Sequence, residues 1–379
     1  MEITPYLKLT VDKNASDLFF YVGAPVHIKI NGIVRPVGNK PLPPGGVREI
    51  AYSVMRDDQI REFEQSWECN FAIPLAGVGR FRANVFKQRG EVAMVVRYIK
   101  GKVPAVEELG LPSILKQLIM EKRGLVLLVG ATSSGKSTTL AAMIDYRNST
   151  APGHILTIED PIEFTHLHKK SIIGQREVGI DTHSYEDALK SALREAPDVI
   201  LIGEVRSRDV MKFALAYAET GHLCLSTLHS NNANGALERI VNFFPEDARD
   251  QLLMDMSLNL RAIVSQRLIR GVNGNLLPAV EVLLNTPYVA DLIQKGKTDQ
   301  IKEAMEQGKE IGMKTFDQVL FELYKEGKIT KEEAIKNADS RNNVSLQIRL
   351  SEGMTSSEEM TGLSIRDEKQ DEKKGGVFL

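Results

Sequence analysis

The stretch "LVLLVGATSSGKSTTLAAMIDY", from Leu125 to Tyr146, joins a short apolar run to a segment with helical character. Its centre, "GATSSGKS" from Gly130 to Ser137, matches the pattern G-x-x-x-x-G-K-[ST]. When such a loop follows a strand and precedes a helix, its backbone N–H groups and the positive end of the helix bind phosphate. The stretch therefore predicts a phosphate-binding loop, called here the P-loop (residues 130–137).

Within the P-loop, the motif assigns Lys136 to the β- and γ-phosphates of a nucleotide and the Ser137 hydroxyl to Mg²⁺. Ser133 and Ser134 fill interior positions at which related loops often have glycine. We expect the whole loop and the residue after it to contact the nucleotide, namely Gly130, Ala131, Thr132, Ser133, Ser134, Gly135, Lys136, Ser137 and Thr138.

The chain around the P-loop repeats an alternation of apolar runs and longer helical stretches. The runs are "LVLLV" (125–129), "HILTI" (154–158), "VILIG" (199–203) and "HLCLSTL" (222–228). Continuous apolar strands separated by helices are typical of a mostly parallel sheet that is buried on both faces. Residues 113–350 are thus predicted to form an α/β domain.

The first hundred residues have a different pattern. "HIKINGIVRPV" (27–37) places Asn31-Gly32 between alternating segments, which predicts a tight hairpin. "GRFRANVF" (79–86) and "VAMVVRYI" (92–99) form a second strand pair, with Phe81, Ala83 and Val85 on one face. With a helical part over 47–65, residues 1–100 read as a small α+β domain, followed by a linker over 101–112 that contains two prolines.

Beyond Phe244 the chain is predicted to be helical. Apolar residues recur at helical spacing over 250–269, which predicts one amphipathic helix there. Thr315 with Gln318, and Thr330 with Glu333, have the spacing of capping boxes that begin two later helices. The last segment, 351–379, is rich in charge and poor in large apolar residues, and we expect it to be disordered.

The composition limits the possible classes of function. A formal net charge of -2 argues against a general polyanion binder, which clusters Lys and Arg on one surface. Two cysteines at distant positions indicate neither disulfides nor a zinc site. The chain has no signal-peptide pattern and no run near the roughly 20 apolar residues that cross a bilayer. We expect a cytosolic protein that reaches a membrane only through partners.

Acidic residues follow two of the apolar strands. "ILTIEDPIEF" (155–164) continues into Glu159, Asp160 and Glu163, and "VILIGEVR" (199–206) has Glu204 one position after the place where the Walker B pattern usually has Asp. The carboxyl ends of parallel strands meet at the ligand-binding edge, so both groups are expected near the phosphates. Solvated loop acids are the alternative. The longer Glu204, after a strand that ends in glycine, could reach back to a metal-bound water.

Two histidines border a further strand in "TGHLCLSTLHSNN" (220–232). A single histidine usually has a structural role, but His229 again follows a strand end. We predict that His222 and His229 contact either the γ-phosphate or a neighbouring subunit. A structural role is the alternative for both.

Four segments in this order carry a resemblance to a known family: "GATSSGKST", "ILTIEDPIEF", "LREAPDVILIGEVRSRD" (193–209) and "TGHLCLSTLHSNNA". The chain resembles the secretion ATPases of type II secretion and type IV pili over about residues 1–350. The resemblance extends into the first domain through "ASDLFF" and "GRFRANVF".

The resemblance implies a homohexameric ring of RecA-like domains, each preceded by a PAS-like domain, that binds ATP and Mg²⁺. It implies Glu163 as general base, Glu204 as holder of Mg²⁺ and its water, and arginines from the first domain that complete the site. Arg82 and Arg97 are the candidates, with solvated or interface ion pairs as the alternative. Arg239 is a further nucleotide-site candidate by family position, and Glu159 is one because it ends the strand of the "ILTIEDPIEF" segment.

Within that family the chain resembles the PilT/PilU branch of pilus retraction ATPases. It has "VADLIQKGK" (289–297) where PilT-type proteins have "AIRNLIRE", and in this and its charged tail it is more similar to the PilU type. The implied partners are a PilT-type retraction ATPase and the pilus platform protein at the cytoplasmic face of the inner membrane. Two other functions stay open: a nucleotide-binding scaffold with little hydrolysis, and a RecA-like nucleic-acid motor.

Overall fold

The computed structural model describes residues 2–30, 32–99 and 101–352. Residues 2–99 build a six-stranded antiparallel sheet in the described part of the chain, with the order β3-β2-β1-β6-β5-β4. Its elements are α1 (Thr4–Asp12), β1 (Asp17–Phe20), β2 (His27–Ile30), β3 (Ile33–Pro36), α2 (Gly46–Tyr52), α3 (Asp57–Ser66), β4 (Glu68–Leu75), β5 (Gly79–Gln88) and β6 (Glu91–Ile99).

The two predicted strand pairs of this region are confirmed. β2 pairs with β3 and β5 pairs with β6 in antiparallel register, although Asn31 of the first turn lies outside the described residues. Phe81, Ala83 and Val85 point into the core together, as their alternation predicted. The predicted helix over 47–65 is divided into α2 and α3, because residues 53–56 turn between them.

The second sheet has seven strands within the described residues, in the order β13-β12-β7-β11-β10-β8-β9. All neighbours are parallel except β13, which pairs antiparallel with β12. The strands are β7 (Gly124–Val129), β8 (Gly153–Glu159), β9 (Ser171–Glu177), β10 (Val199–Ile202), β11 (Leu223–Leu228), β12 (Leu260–Arg270) and β13 (Leu276–Leu284). The predicted mostly parallel sheet is thus confirmed.

Helices cover both faces of this sheet. They are α4 (Ile114–Ile119), α5 (Lys136–Thr150), α6 (Tyr185–Ala192), α7 (Arg208–Glu219), α8 (Ala233–Asn242), α9 (Arg249–Asn259), α10 (Pro287–Gln294), α11 (Ile301–Gln307), α12 (Phe316–Lys325), α13 (Lys331–Asn337) and α14 (Arg341–Ser351). Leu127 of β7 packs into the core beside α7 and α8, whereas Leu128 packs into the core beside α4 and α5. Burial on both sides explains why these strands are apolar without interruption.

The predicted helix over 250–269 is wrong in its second half. α9 ends at Asn259, and residues 260–270 form β12, which lies between β7 and β13. Ile263 and Val264 are both fully buried, since β12 is covered on its two faces. An apolar run of this kind fits either periodicity, and pairing with β7 decides for the strand.

The two predicted helix starts are confirmed. Thr315 accepts a hydrogen bond from the Gln318 N–H in a complete capping box, and Thr330 accepts one from the Glu333 N–H. Residues 101–112 contain neither helix nor strand. The tail predicted over 351–379 falls almost entirely outside the described residues. Among the described helices, none has the length and apolar character that crossing a membrane requires.

Candidate nucleotide site

The carboxyl ends of β7, β8, β10 and β11 open into one cavity of about 690 Å³, called here the nucleotide cavity. The sheet order places these strands side by side, so residues that are distant in sequence meet at one edge. The predicted site residues that line the cavity are Thr132, Ser133, Ser134, Gly135, Lys136, Ser137, Thr138, Glu159, Glu163, Glu204, His229 and Arg97.

The P-loop lies directly against β12. A Cβ atom on Gly130 would lie 2.5 Å from the Gln266 carbonyl oxygen, and one on Gly135 would lie 2.7 Å from Gln266 Nε2. Gln266 Oε1 also accepts a hydrogen bond of 2.7 Å from Thr139 on α5. Gln266, which sequence reasoning missed, therefore lies against both ends of the loop. Ser133 has a φ of 64°, a left-handed conformation that explains why related loops favour glycine there.

Lys136 lies almost completely inside the protein, at 8% exposure. Its ammonium donates hydrogen bonds to the carbonyls of Gly130 (2.9 Å) and Ala131 (2.8 Å). Burial lowers the pKa of Lys136, while the nearby Glu204 carboxylate opposes that shift. The buried Ser134 hydroxyl beside it has no hydrogen-bond partner in the described structure. A buried cation and an unpaired hydroxyl in a glycine-bounded loop are suited to an anionic ligand.

Glu204 is the centre of a charged cluster. Arg206 Nε donates to Glu204 Oε2 at 2.7 Å, and His229 Nε2 lies 3.3 Å from Glu204 Oε1. Arg206 also reaches Asp160 at 3.5 Å. The cluster joins the ends of β8, β10 and β11 at the cavity, so Glu204 is held by side chains and is not a solvated loop acid.

The glycine before Glu204 has a steric reason. A Cβ atom on Gly203 would lie 2.7 Å from the Tyr185 hydroxyl oxygen and 3.2 Å from the Glu159 Cα atom. The Thr227 hydroxyl also donates to the Gly203 carbonyl at 2.7 Å. The end of β10 is therefore packed too closely for a side chain at position 203, and the carboxylate comes from the next residue.

The end of β8 and the loop after it bring two acids, Glu159 and Glu163, to the cavity. Removal from water raises the pKa of Glu159 to about 7, although hydrogen bonds from Thr157, Gln175 and the Glu163 backbone oppose the shift. Glu163 is exposed within the cavity wall. The two carboxylates thus differ: Glu159 lies among hydrogen-bond donors, and Glu163 is open to a ligand.

The two candidate arginines have different surroundings. Arg97 lines the nucleotide cavity of its own chain, and its Nε donates to the buried Asp17 at 2.8 Å. Arg82 is not part of the cavity wall and instead lies near the Glu177 carboxylate, as does Arg80 at 3.9 Å. The structure therefore brings Arg97, but not Arg82, to the cavity.

His222 does not line the nucleotide cavity of its own chain, so of its two predicted contacts the one with a neighbouring subunit fits its position better than the one with the γ-phosphate. It precedes the amino end of β11, whose six residues span about 20 Å, so it lies at the opposite edge of the sheet from His229. Its Nδ1 atom is 3.2 Å from the Thr220 hydroxyl. Arg239 and Ala131 line an adjacent cavity of about 590 Å³, which shares Thr132 and His229 with the first.

The oxygen atoms of the cavity suit magnesium. Ser137 and Glu204 supply a hydroxyl and a carboxylate at its wall, and both are ligands that Mg²⁺ accepts. The described residues contain no group of three or more His, Cys, Asp or Glu able to hold a metal alone. This arrangement fits Mg²⁺ bound mainly through nucleotide phosphates, with one or two protein ligands.

Comparison with known proteins identifies the family. The profile of the Type II/IV secretion system protein family matches residues 3–361. The chain belongs to this family. It is 56% identical over 351 residues to the type IV pilus ATPase PilU of Pseudomonas aeruginosa, covering 92% of each chain, and 42% identical to the retraction ATPase PilT of the same organism, covering 89% of this chain and 98% of PilT.

The identities to PilU and PilT place this member of the secretion-protein family in the PilT/PilU branch, and the solved structures confirm the α/β P-loop fold. The crystal structure of the pilus retraction motor PilT with bound ADP aligns with a TM-score of 0.84 at 42% identity, covering 90% of this chain and 98% of that one. The ATPase DotB of Legionella pneumophila, at 23% identity and a TM-score of 0.72, shares the fold.

Proposed function

We propose that the protein is a magnesium-dependent ATPase of the type IV pilus machinery that supports pilus retraction and twitching motility. The observation that carries the proposal is the convergence of Lys136, Ser137, Glu163 and Glu204 on one cavity. The similarity to PilU and PilT, and to the twitching motility protein of Neisseria gonorrhoeae at 42% identity, supports the pilus system as the setting.

We propose a role for each of these side chains. The P-loop N–H groups and Lys136 bind the phosphates, and Ser137 with Glu204 would hold Mg²⁺, which supplies charge neutralisation when bound. Glu163 accepts a proton from a water molecule as its oxygen attacks the γ-phosphorus, and the bond to the β–γ bridging oxygen breaks to give ADP and phosphate. We assign Arg97 to the charge that develops on the transferred group, because Arg97 lines the same cavity.

We further propose the assembly in which this chemistry acts. Residues 1–100 and 113–350 are two domains joined by the linker over 101–112, and six copies form a ring at the cytoplasmic face of the inner membrane. The ring works beside a PilT-type retraction ATPase and contacts the pilus platform protein. His222 is then available to a neighbouring subunit, since it lies outside the cavity of its own chain.

Phosphate release by the purified full-length protein tests the proposal. We expect ATP turnover that is lost in Lys136→Ala and falls by a factor of about 10²–10⁴ in Glu163→Gln, as expected for loss of a general base. The assay is repeated with a PilT-type partner. Turnover that survives both substitutions would refute the catalytic assignment, and turnover absent with and without the partner would favour the scaffold function.

A nucleic-acid motor is tested in the same assay. Stimulation of turnover by single- or double-stranded DNA or by RNA would support that function in place of the pilus. The net charge of -2 gives no reason to expect it.

A further inference from the structure

Gln175 on β9 contacts the loop that carries Glu163 at two points. Its Nε2 atom donates to the Phe164 carbonyl at 2.9 Å, and its Oε1 atom accepts from the His166 N–H at 2.8 Å. The same Nε2 atom lies 3.4 Å from Glu159 Oε1. One side chain therefore holds both residues that flank position 165, and it also reaches the carboxylate at the start of the loop.

A second residue of β9 extends this attachment. Glu177 Oε2 accepts from the Ile162 N–H at 3.4 Å. Residues 175 and 177 lie on the same side of the strand because strand side chains alternate, whereas Arg176 lies on the other side and pairs with Glu195 at 2.8 Å. This face of β9 thus holds residues 162, 164 and 166 by their backbones.

We propose that Gln175 is a positioning residue for hydrolysis, which fixes the backbone directly after Glu163 so that the Glu163 carboxylate faces the γ-phosphate. The inference rests on the proposed ATPase function. Gln175 itself does not line the nucleotide cavity and acts only through the loop.

The chemistry of the two contacts explains why glutamine is needed. The Phe164 carbonyl requires a donor and the His166 N–H requires an acceptor, and a single amide group supplies both. A glutamate at this position would keep the acceptor but place an oxygen against the Phe164 carbonyl and against Glu159. An alanine would lose both hydrogen bonds.

Turnover, ligand affinity and backbone exchange together test the role. Gln175→Ala and Gln175→Glu are compared with the wild-type full-length protein for kcat, for the Kd of MgADP, for Tm and for hydrogen exchange of the peptide that contains 163–168. We expect kcat to fall roughly 10- to 100-fold in both variants, since a small displacement of a reacting group has this effect. The Kd of MgADP should change by less than about threefold, because the P-loop is untouched.

Hydrogen exchange separates the two variants. Protection of the His166 N–H should be lost in Gln175→Ala and kept in Gln175→Glu, which retains its acceptor. Arg176→Ala is the matched control, since it alters the opposite face of the same strand; its kcat should stay close to the wild-type value.

Three results would overturn the inference. They are wild-type kcat in both Gln175 variants, an equal loss of kcat in Arg176→Ala, or a loss of MgADP affinity and thermal stability that parallels the loss of kcat. Each of these presupposes a wild-type protein that hydrolyses ATP. Absence of turnover in the wild-type protein would instead contradict the proposed function, so the two failures are distinguishable.

Discussion

The close packing around Gly203 gives a quantitative prediction. In Gly203→Ala the new methyl group would lie 2.7 Å from the Tyr185 hydroxyl oxygen and 3.3 Å from the Ile158 carbonyl oxygen, so the end of β10 must shift. Overpacking of this kind costs about 2 kcal/mol. Reduced freedom of the unfolded chain offsets about 0.5 kcal/mol. The net loss of about 1.5 kcal/mol corresponds to a fall in Tm of roughly 3–6 °C for a domain of this size.

Tyr185→Phe should relieve the conflict, because it removes the oxygen that the methyl group meets. In a double-mutant cycle followed by calorimetry, we expect Gly203→Ala/Tyr185→Phe to recover at least about 1 kcal/mol relative to the sum of the single changes. We expect Gly203→Ala to lower kcat for ATP as well, because Glu204 follows position 203 directly. The double variant should recover kcat together with stability. Gly101→Ala is the control, because a Cβ atom there meets no atom within 4 Å. Additive losses in the cycle would show that Tyr185 does not limit the space at position 203.

The other predictions concern charged side chains. Glu281 is buried and its pKa is raised to about 7, chiefly by desolvation. The folded protein favours protonated Glu281, so the free energy of unfolding falls as the pH rises from about 4.5 to about 7. Glu281→Gln should remove up to about 3 kcal/mol of that fall, which is measured as a weaker dependence of Tm on pH over this range. Arg97→Ala should lower kcat at least about tenfold, as expected for an arginine that faces the phosphoryl group, and Arg82→Ala much less. Arg267 donates to the Asn231 carbonyl at 3.1 Å and to the Asn337 carbonyl at 2.6 Å, so it joins the loop after His229 to the end of α13. Arg267→Ala should therefore lower Tm by several degrees, and an unchanged melting curve would contradict this.

The sequence predicted those site residues that belong to local sequence patterns. Strand ends followed by acids, and a loop of fixed spacing before a helix, placed Lys136, Glu163, Glu204 and His229 at one edge of the sheet. Strand direction was enough to predict this edge, because parallel strands bring their carboxyl ends together.

Three contributors had no such pattern. Gln266 belongs to β12, whose apolar residues have helical spacing in the sequence. Its contact with the P-loop was missed because the local sequence predicted a helix in place of this strand. Gln175 and Tyr185 act through tertiary contacts with the loop after β8 and the end of β10. A hydrogen bond or a steric contact between distant segments produces no pattern in the local sequence. The roles of these residues can therefore be identified only from the folded structure.

The position of Glu204 after β10 depends both on the local sequence and on tertiary contacts. Successive residues of an extended chain point to opposite sides, so a shift by one position changes the direction of the side chain and not only its distance. Position 203 faces Tyr185 and the backbone of β8, where an acid would have no room. Position 204 faces Arg206 and His229, where a carboxylate finds two partners at the cavity. Gly203 and Glu204 therefore act together. Gly203 lets the end of β10 pack against Tyr185 and β8, and Glu204 brings its carboxylate to the nucleotide cavity.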